Sequence, residues 1–453
     1  MNPAEVLIDH ALAVEWADLP PAAQQAARTF LHDTICVGVA GANAAYADAI
    51  CAAAASWGQG DACSVLGRPD LRLPAPSAAF VNAFQIHSQE YDCVHEPAVV
   101  HPLATIASVL IAEAERSGPY SGEDLLAALS AGVDVAASLG VAATTPLKFF
   151  RPATAGIFGC VAALARLRRL PREVALDALG YALAFAGGTM QAHTEGKPAL
   201  PVQIANAARG AVTAVDVAVA GLPGPLRSID GPFGYLTLFE DAFDLEPVLA
   251  SLGKTFRVAE VSWKPFPTGR AAHGAIVATQ ALMAEHGLTV ENLESLTYRA
   301  PPLIKRLVGR QVVEGMGPAH ARLCFPYLAG VVLTRGAVGL GDFAASSLAD
   351  PALHAIAALI AVEDDGNPDP AAFTPAVAIA RTRDGRELTV EVAAQFGSPA
   401  WPLSREQHLE KARSCLAFGG LEAVHARLAA MLEDFENLDD AALAFRLAAG
   451  RDR

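Results

Sequence analysis

Apolar residues recur every three to four positions along most of the chain up to residue 266, which is the spacing of helices with one buried face. One such run begins at Pro21 and another at Pro102, and proline suits the first turn of a helix. A pattern like a capping box at Ser121 predicts a further helix over 125–139. This part of the chain is therefore predicted to be helical.

Beyond residue 267 the pattern changes to the period of two that half-buried strands show. Short strands are predicted over 296–301, 360–363 and 376–380. A hairpin is predicted over 377–392, because the Arg-Asp-Gly-Arg sequence at 383–386 separates two alternating runs.

Helical spacing returns from Ser404 onward and includes a run over 421–432. The chain is therefore predicted to be mainly α, with a large all-helical domain and an inserted α+β lid domain. The predicted bounds are 1–266 for the first part of the helical domain, 267–395 for the lid and 396–453 for the return to the helical domain.

The composition favours a packed protein over a disordered or membrane-spanning one. Of the 453 residues, 53% are hydrophobic and 18% are charged, whereas disordered chains are poor in apolar residues. A spanning helix needs roughly 20 mainly apolar residues, and uncharged runs such as 178–194 are interrupted by glycine and polar side chains. Glu5 and Asp9 argue against a signal peptide. We expect a cytoplasmic protein with no membrane partner.

The net charge and the absence of several motifs argue against further classes of function. A formal net charge of −15 argues against a nucleic-acid partner, which needs clustered Lys and Arg. The seven cysteines form no C-x-x-C pair, so we expect buried thiols rather than disulfides or a zinc site. No G-x-G-x-x-G, phosphate-binding loop or G-x-S-x-G motif occurs. We therefore expect no cofactor.

The densest group of polar residues lies at 87–96, closely followed by His101. Histidine titrates near neutral pH and suits proton transfer, and a carboxylate such as Asp92 can hold a histidine in one tautomer. His, Asp and Glu are also metal ligands, so a metal site is a second interpretation. A solvated loop with helix caps is the third.

A second polar stretch, 263–273, lies at the junction of the two predicted domains and carries Lys264, Arg270 and His273. Cations held between rigid apolar residues can bind an anion, and arginine matches the shape of a carboxylate. The alternative is a linker whose cations pair with surface carboxylates.

The third stretch combines Arg151, at the start of an Ala/Gly-rich helix, with residues 196–203. A helix N-terminus with an arginine beside it favours an anion. The alternative is an arginine that reaches solvent from the helix start. Lys197 and Gln203 are the further candidates for substrate binding in this stretch.

These stretches, in this order, belong to a set of landmarks that covers nearly the whole chain. The landmarks are Asp33-Thr-Ile-Cys-Val-Gly-Val-Ala-Gly, Asn82-Ala-Phe-Gln-Ile-His, Tyr91-Asp-Cys-Val-His with His101-Pro, Arg151-Pro-Ala-Thr-Ala-Gly-Ile-Phe-Gly, Asn206-Ala-Ala, Lys264-Pro-Phe-Pro, Arg322-Leu-Cys-Phe-Pro-Tyr327 and Lys411-Ala-Arg-Ser-Cys415. Together they resemble the MmgE/PrpD family, which includes 2-methylcitrate dehydratases, cis-aconitate decarboxylases and iminodisuccinate epimerases.

The resemblance implies an all-α domain with an α+β lid, a homodimer and no metal. It places Asp92, His101, Lys264 and Tyr327 on active-site positions of the family. Three positions depart from the family pattern: Arg151 stands in place of a histidine, Leu200 in place of a lysine and Gln203 in place of a histidine. Lys197, three residues before Leu200, is a candidate replacement for the lysine.

The residues and the resemblance together predict a metal-independent lyase acting on a small di- or tricarboxylate, most simply a dehydratase of a 2-methylcitrate-like acid. His101, oriented by Asp92, is predicted to transfer the proton, and Tyr327 or His273 to act as the second acid. Lys264, Arg151 and Arg270 are predicted to bind carboxylates and disperse charge. The alternatives are a dicarboxylate epimerase and a non-catalytic carboxylate-binding protein.

Overall fold

Helices dominate the computed structural model, which describes residues 2–369 and 372–451. The chain divides into two units: an N-terminal unit (the chain up to Gln191, Ala199–Ser262, and the chain from Ser404) and a C-terminal unit (Ala192–Pro198 and Trp263–Leu403). The mainly α class is confirmed. The outermost predicted domain bounds, 1 and 453, lie outside the described residues, and the role of the second unit as a lid stays a prediction.

Up to residue 251 the chain forms thirteen α-helices among the described residues, of which α10 lies at the start of the segment that belongs to the C-terminal unit. They are α1 Pro3–Ala13, α2 Pro21–Gly41, α3 Ala47–Ser56, α4 Ala75–Ser88, α5 Pro102–Ser117, α6 Gly122–Ala142, α7 Arg151–Thr154, α8 Gly156–Leu167, α9 Arg172–Phe185, α10 Gln191–Glu195, α11 Leu200–Val219, α12 Tyr235–Phe239 and α13 Glu246–Ser251.

The local signals in the sequence mark the starts of these helices as predicted. α2 and α5 have proline in the first turn, and the Ser121 side chain caps α6 by accepting a hydrogen bond from the Asp124 amide at 3.1 Å. α6 packs closely on α8, since a Cβ on Gly132 would lie 2.7 Å from the Gly159 carbonyl oxygen. Small residues therefore let these two buried helices approach each other.

One helix of the described residues, α6, is long and apolar enough to cross a membrane, but 94% of its apolar window is buried inside the protein. Such burial is typical of the core helix of a soluble protein.

The N-terminal unit also contains two strands that the sequence pattern did not predict, β1 Cys63–Val65 and β2 Arg68–Leu73. They pair antiparallel with an irregular register between Ser64 and Val65. The Asn82 side chain of α4 accepts from the Leu66 amide at 2.9 Å, which fixes the turn between the two strands.

The C-terminal unit contains helices and a four-stranded sheet. Its elements from Trp263 onward are α14 His273–His286, β3 Leu293–Ala300, α15 Pro302–Val308, α16 Pro318–Ala321, α17 Phe325–Arg335, α18 Ala345–Leu348, α19 Pro351–Ala357, β4 Ile360–Asp364, β5 Ala376–Thr382 and β6 Glu387–Val392. The strand order is β4-β3-β5-β6, with β4 parallel to β3 and the other pairs antiparallel. The three predicted strands and the predicted hairpin are confirmed.

The chain returns to the N-terminal unit with α20 Arg405–Phe418, α21 His425–Glu433 and α22 Ala442–Ala448. The predicted helical run over 421–432 is interrupted, since Glu422–Val424 forms a 3-10 turn before α21 begins. Ser404 and Gln407 form a capping box at the start of α20.

All seven cysteines are buried free thiols, as predicted. Burial raises the pKa of the Cys63 and Cys160 thiols to about 12, so they are protonated at neutral pH.

Candidate active site

The polar stretch after α4 is a buried, hydrogen-bonded segment rather than a solvated loop. His95 and Val100 form an antiparallel bridge, with N···O distances of 2.9 and 3.3 Å. Val94 pairs in the same way with Ser262, at 3.0 and 2.8 Å. Val99 has a φ of 52°, a left-handed conformation that β-branched residues rarely adopt. The segment is therefore held in a strained conformation, which is typical of functional sites.

His95 ties this segment to the rest of the N-terminal unit. Its Nε2 lies 2.8 Å from Glu260 Oε2, and its Nδ1 accepts from the Ala98 amide at 3.2 Å. This hydrogen bond with His95 lowers the pKa of Glu260, and Arg257 contributes to the same shift. His95 therefore has a structural role.

Asp92 lies between two histidines. Its Oδ2 is 3.0 Å from His87 Nδ1 and 3.0 Å from His101 Nδ1, while its Oδ1 is 3.2 Å from His87 Nδ1. The two imidazole rings meet edge to face, with their centroids 4.8 Å apart. The structure thus brings together two of the predicted site residues, Asp92 and His101, and adds His87.

The arrangement places a proton on Nδ1 of both histidines. An ionised carboxylate only accepts hydrogen bonds, so each Nδ1 carries a proton, and a neutral His101 has its lone pair on Nε2. His87 Nε2 instead lies 3.7 Å from Glu90 Oε1. The His101 side chain is 13% exposed, whereas the side chains of His87 and Asp92 are 1% and 0% exposed. His101 is therefore the member of this group with the most access to a substrate, and its Nε2 can accept and return a proton.

The same three side chains can also be considered as metal ligands. One ligand atom from each of His87, Asp92 and His101 lies within 4.8 Å of the others, which is close enough to hold an ion. A metal bound through the Nδ1 atoms would need their lone pairs, whereas the hydrogen bonds to Asp92 need Nδ1–H, so metal binding at Nδ1 and these hydrogen bonds exclude each other. Metal independence stays a prediction.

Arg151, predicted to bind a substrate carboxylate, makes a bidentate ion pair with a protein carboxylate. Its Nε and Nη2 lie 2.7 and 2.8 Å from the two carboxylate oxygens of Glu240, and Nη2 also donates to the Thr145 carbonyl at 2.8 Å. Both side chains are buried. Glu240 therefore compensates the charge that the sequence analysis assigned to a substrate.

The Gln203 side chain forms hydrogen bonds with the backbone of a neighbouring segment. Its side-chain Oε1 accepts from the Thr189 amide, and its Nε2 donates to the Thr189 carbonyl at 3.2 Å. Both contacts lie within the N-terminal unit. Lys197 belongs instead to the segment Ala192–Pro198 of the C-terminal unit, and its side chain is exposed.

The remaining predicted site residues lie in the C-terminal unit. Lys264, Arg270 and His273 are buried there, and Arg270 Nη1 lies 3.3 Å from His273 Nδ1 and donates to the Phe396 carbonyl at 2.5 Å. His273 Nε2 lies 3.4 Å from the carbonyl oxygen of Thr268. Lys264 and Arg270 are therefore buried cations of this unit, and Arg270 contacts His273.

Tyr327 is fully buried on α17, and its hydroxyl donates to the Asp342 carbonyl at 2.6 Å. Burial raises the pKa of Tyr327 to about 12, with a further contribution from Asp342. A hydroxyl bound in this way is a poor proton donor near neutral pH, and its role as an acid stays a prediction.

Three residues in or near the site were given no role on the basis of the sequence. His87 is the first residue of the polar stretch, but nothing in the sequence distinguished it from the other polar residues there. Asp33 on α2 and Lys411 on α20 form a buried ion pair behind Tyr91, with Lys411 Nζ 2.8 Å from Asp33 Oδ1. They belong to landmarks of the resemblance, yet nothing in their local sequence indicates that they meet.

Comparison with known proteins gives a consistent assignment along the chain. Residues 5–248 match the MmgE/PrpD N-terminal domain, and residues 266–436 match the MmgE/PrpD C-terminal domain. A protein of Homo sapiens named cis-aconitate decarboxylase is 29% identical over 404 residues, which cover 85% of this chain and 82% of that protein. Its Mus musculus counterpart is 28% identical over 404 residues, covering 85% and 81%. Because the N-terminal match alone spans more than half of the sequence, this chain belongs to the MmgE/PrpD family.

Proposed function

We propose that this chain is a lyase that acts on a small di- or tricarboxylate by moving a proton at a carbon next to a carboxylate, without a metal ion. The observation that carries the proposal is the Asp92 carboxylate, which accepts hydrogen bonds from both His87 and His101. The family assignment and the two relatives named cis-aconitate decarboxylase support the lyase class.

His101 is the proposed proton carrier. Asp92 orients its ring and stabilises the imidazolium that forms when Nε2 takes a proton, so each half of the transfer is assisted. His87 shares the same carboxylate but is 1% exposed, and we propose that it holds Asp92 in place rather than touching the substrate.

The cations of the C-terminal unit are the proposed charge-stabilising groups. Removing a proton next to a carboxylate builds negative charge on that carboxylate, and Lys264 and Arg270 suit its stabilisation. His273 is the proposed second acid. Arg151 is a weaker candidate for the substrate than the sequence suggested, because Glu240 already compensates its charge.

Two lyase outcomes use the same proton carrier. In a dehydration, His101 removes the proton from carbon, the C–O bond on the next carbon breaks, and the second acid protonates the departing hydroxide to give water and a C=C bond. In a decarboxylation, His101 first takes a proton from water at Nε2; the C–C bond to a carboxylate then breaks, CO2 leaves, and His101 delivers that proton to the carbon that receives the electron pair. The names of the relatives make cis-aconitate the first acid to test, with a 2-methylcitrate-like acid second.

The test is to incubate the purified protein with cis-aconitate, 2-methylcitrate and a panel of other di- and tricarboxylates in deuterium oxide and to follow them by NMR. The expected result is either loss of CO2 with one deuterium delivered to carbon, or loss of water with loss of a carbon-bound proton next to a carboxylate. Exchange without net conversion would instead support the epimerase alternative, and binding without exchange would support a carboxylate-binding protein.

We also propose that the protein is a cytoplasmic homodimer. The dimer is supported by the family resemblance, and the cytoplasmic location by the composition of the chain and the burial of α6.

A further inference from the structure

The ion pair between Asp33 and Lys411 is a costly feature of the N-terminal unit. The side chains are 2% and 4% exposed, and α2 and α20, which carry them, are far apart in the sequence. Burying two charges costs several kcal/mol of desolvation, and well-packed apolar residues often replace such a pair without loss of stability. Stability alone therefore does not explain why two charges stand here.

Lys411 also binds the residue that precedes Asp92. Its Nζ donates to the Tyr91 carbonyl at 3.0 Å and lies 4.2 Å from the centroid of the Tyr91 ring. A lysine over an aromatic ring is attracted to the ring face as well as to the carbonyl. One ammonium group thus holds both the backbone and the side chain of Tyr91.

The residue after Asp92 is held from the same direction. Thr34, which follows Asp33 on α2, has its Oγ1 3.9 Å from the Sγ of Cys93. Both neighbours of Asp92 in the chain are therefore in contact with this part of the N-terminal unit, Tyr91 through Lys411 and Cys93 through Thr34.

The charges of Asp33, Lys411 and Asp92 also influence one another. Burial raises the pKa of Asp33, Lys411 acts against that rise, and the Asp92 carboxylate adds to it. Asp92 is thus close enough to influence Asp33, and the Lys411 cation opposes the rise in the pKa of Asp33.

We infer that Lys411 and Asp33 are positioning residues that hold the 91–93 segment so that Asp92 Oδ2 stays within hydrogen-bond distance of both His87 and His101. The inference rests on the proposed function only where it concerns catalysis, since the geometry it explains is independent of the substrate. A shift of about 1 Å in a catalytic group can cost on the order of 100-fold in rate.

The test compares two variants with a matched control on the same helix. Lys411→Met removes the contact but leaves Asp33 buried without its partner, which is expected to destabilise the fold. The double variant Lys411→Met with Asp33→Asn removes both charges and is expected to fold with an unfolding midpoint near that of the unmodified protein. Arg413→Met is the control, because Arg413 also lies on α20 and pairs with Glu410 and Glu422 at the surface.

The first readout needs no substrate. The protein is labelled with 15N-histidine, and the Nδ1–H protons bonded to Asp92 are observed as downfield NMR signals. We expect these signals in the unmodified protein and in Arg413→Met. We expect these signals to shift or disappear in the double variant. Unchanged signals in a folded double variant would overturn the inference, whatever the substrate proves to be.

The second readout is kinetic and uses the acid that the panel identifies. We expect kcat of the double variant to fall roughly 10- to 100-fold with little change in KM, while Arg413→Met stays within twofold. A purely structural ion pair predicts the opposite result, a double variant that is stable and fully active. If no acid is turned over by the unmodified protein, the proposed function fails, and the NMR readout still decides the inference.

Discussion

A buried pair of neutral histidines in the N-terminal unit is expected to make the fold sensitive to acid. His32 Nδ1 on α2 lies 3.0 Å from His408 Nε2 on α20, and their rings meet edge to face. Such a hydrogen bond needs one imidazole to accept, so the pair cannot carry a proton on every nitrogen. Burial, the partner histidine and His425 lower the pKa of His32 to about 3, and burial, Lys411, Arg405 and His425 lower that of His408 to about 4.

The direction of the effect follows from comparing the two states. The unfolded chain binds protons at these histidines near their model value of 6.5, whereas the folded chain does so only near 3 and 4. The stability is therefore complete above pH 6.5 and falls as the pH drops towards the folded values. At pH 5 each of the two imidazoles is expected to lower the free energy of unfolding by about 2 kcal/mol.

The assay is urea unfolding followed by circular dichroism at pH 7.5 and pH 5.0. Carboxylates also contribute to the pH dependence, so the measured quantity is the difference between variant and unmodified protein. On going from pH 7.5 to pH 5.0, we expect the free energy of unfolding of His408→Gln to fall by about 2 kcal/mol less than that of the unmodified protein. His286 is exposed, so His286→Gln is expected to behave like the unmodified protein. An equal loss in all three proteins would show that the pair does not resist protonation.

Three further predictions concern the proposed function. His101→Ala is expected to lower kcat by ~10²–10⁴ and to abolish deuterium exchange without changing the fold, and His286→Ala serves as its control. Added Zn²⁺ is expected to inhibit the enzyme by competing for the Nδ1 atoms that bind Asp92. A chelator is expected to leave the purified enzyme fully active. Stoichiometric metal, with activity lost on chelation, would contradict metal independence. Light scattering in dilute solution is expected to give twice the chain mass of 47.0 kDa, and a monomer mass would count against the dimer.

The elements with strong local signals could be predicted from the sequence. Pro102 at the start of α5, the cap of α6 at Ser121 and the turn between β5 and β6 are each fixed by residues within a few positions of one another. The strands β1 and β2 could not be predicted in this way, since β1 has only three residues and offers too short a pattern.

The candidate site was predictable in part for the same reason. Asp92 and His101 lie nine positions apart in one polar stretch, so their meeting is nearly local. Arg151 and Glu240 lie 89 positions apart, and Lys411 and Tyr91 lie 320 apart. Whether a buried arginine serves a substrate or a protein carboxylate depends on such distant partners, which no local pattern contains.

The return of the chain to the N-terminal unit after Ser404 has a consequence for biosynthesis. Domains at the start of a chain usually fold while the ribosome is still translating the rest, at about 5–20 residues per second. Here α2 obtains its partner α20, and Asp33 obtains Lys411, only after the whole C-terminal unit has been made. The nascent N-terminal unit must therefore wait, with Asp33 unpaired and the face of α2 that meets α20 uncovered, until translation has passed the C-terminal unit. Slower translation of the C-terminal unit lengthens this interval, in which exposed apolar surface favours aggregation.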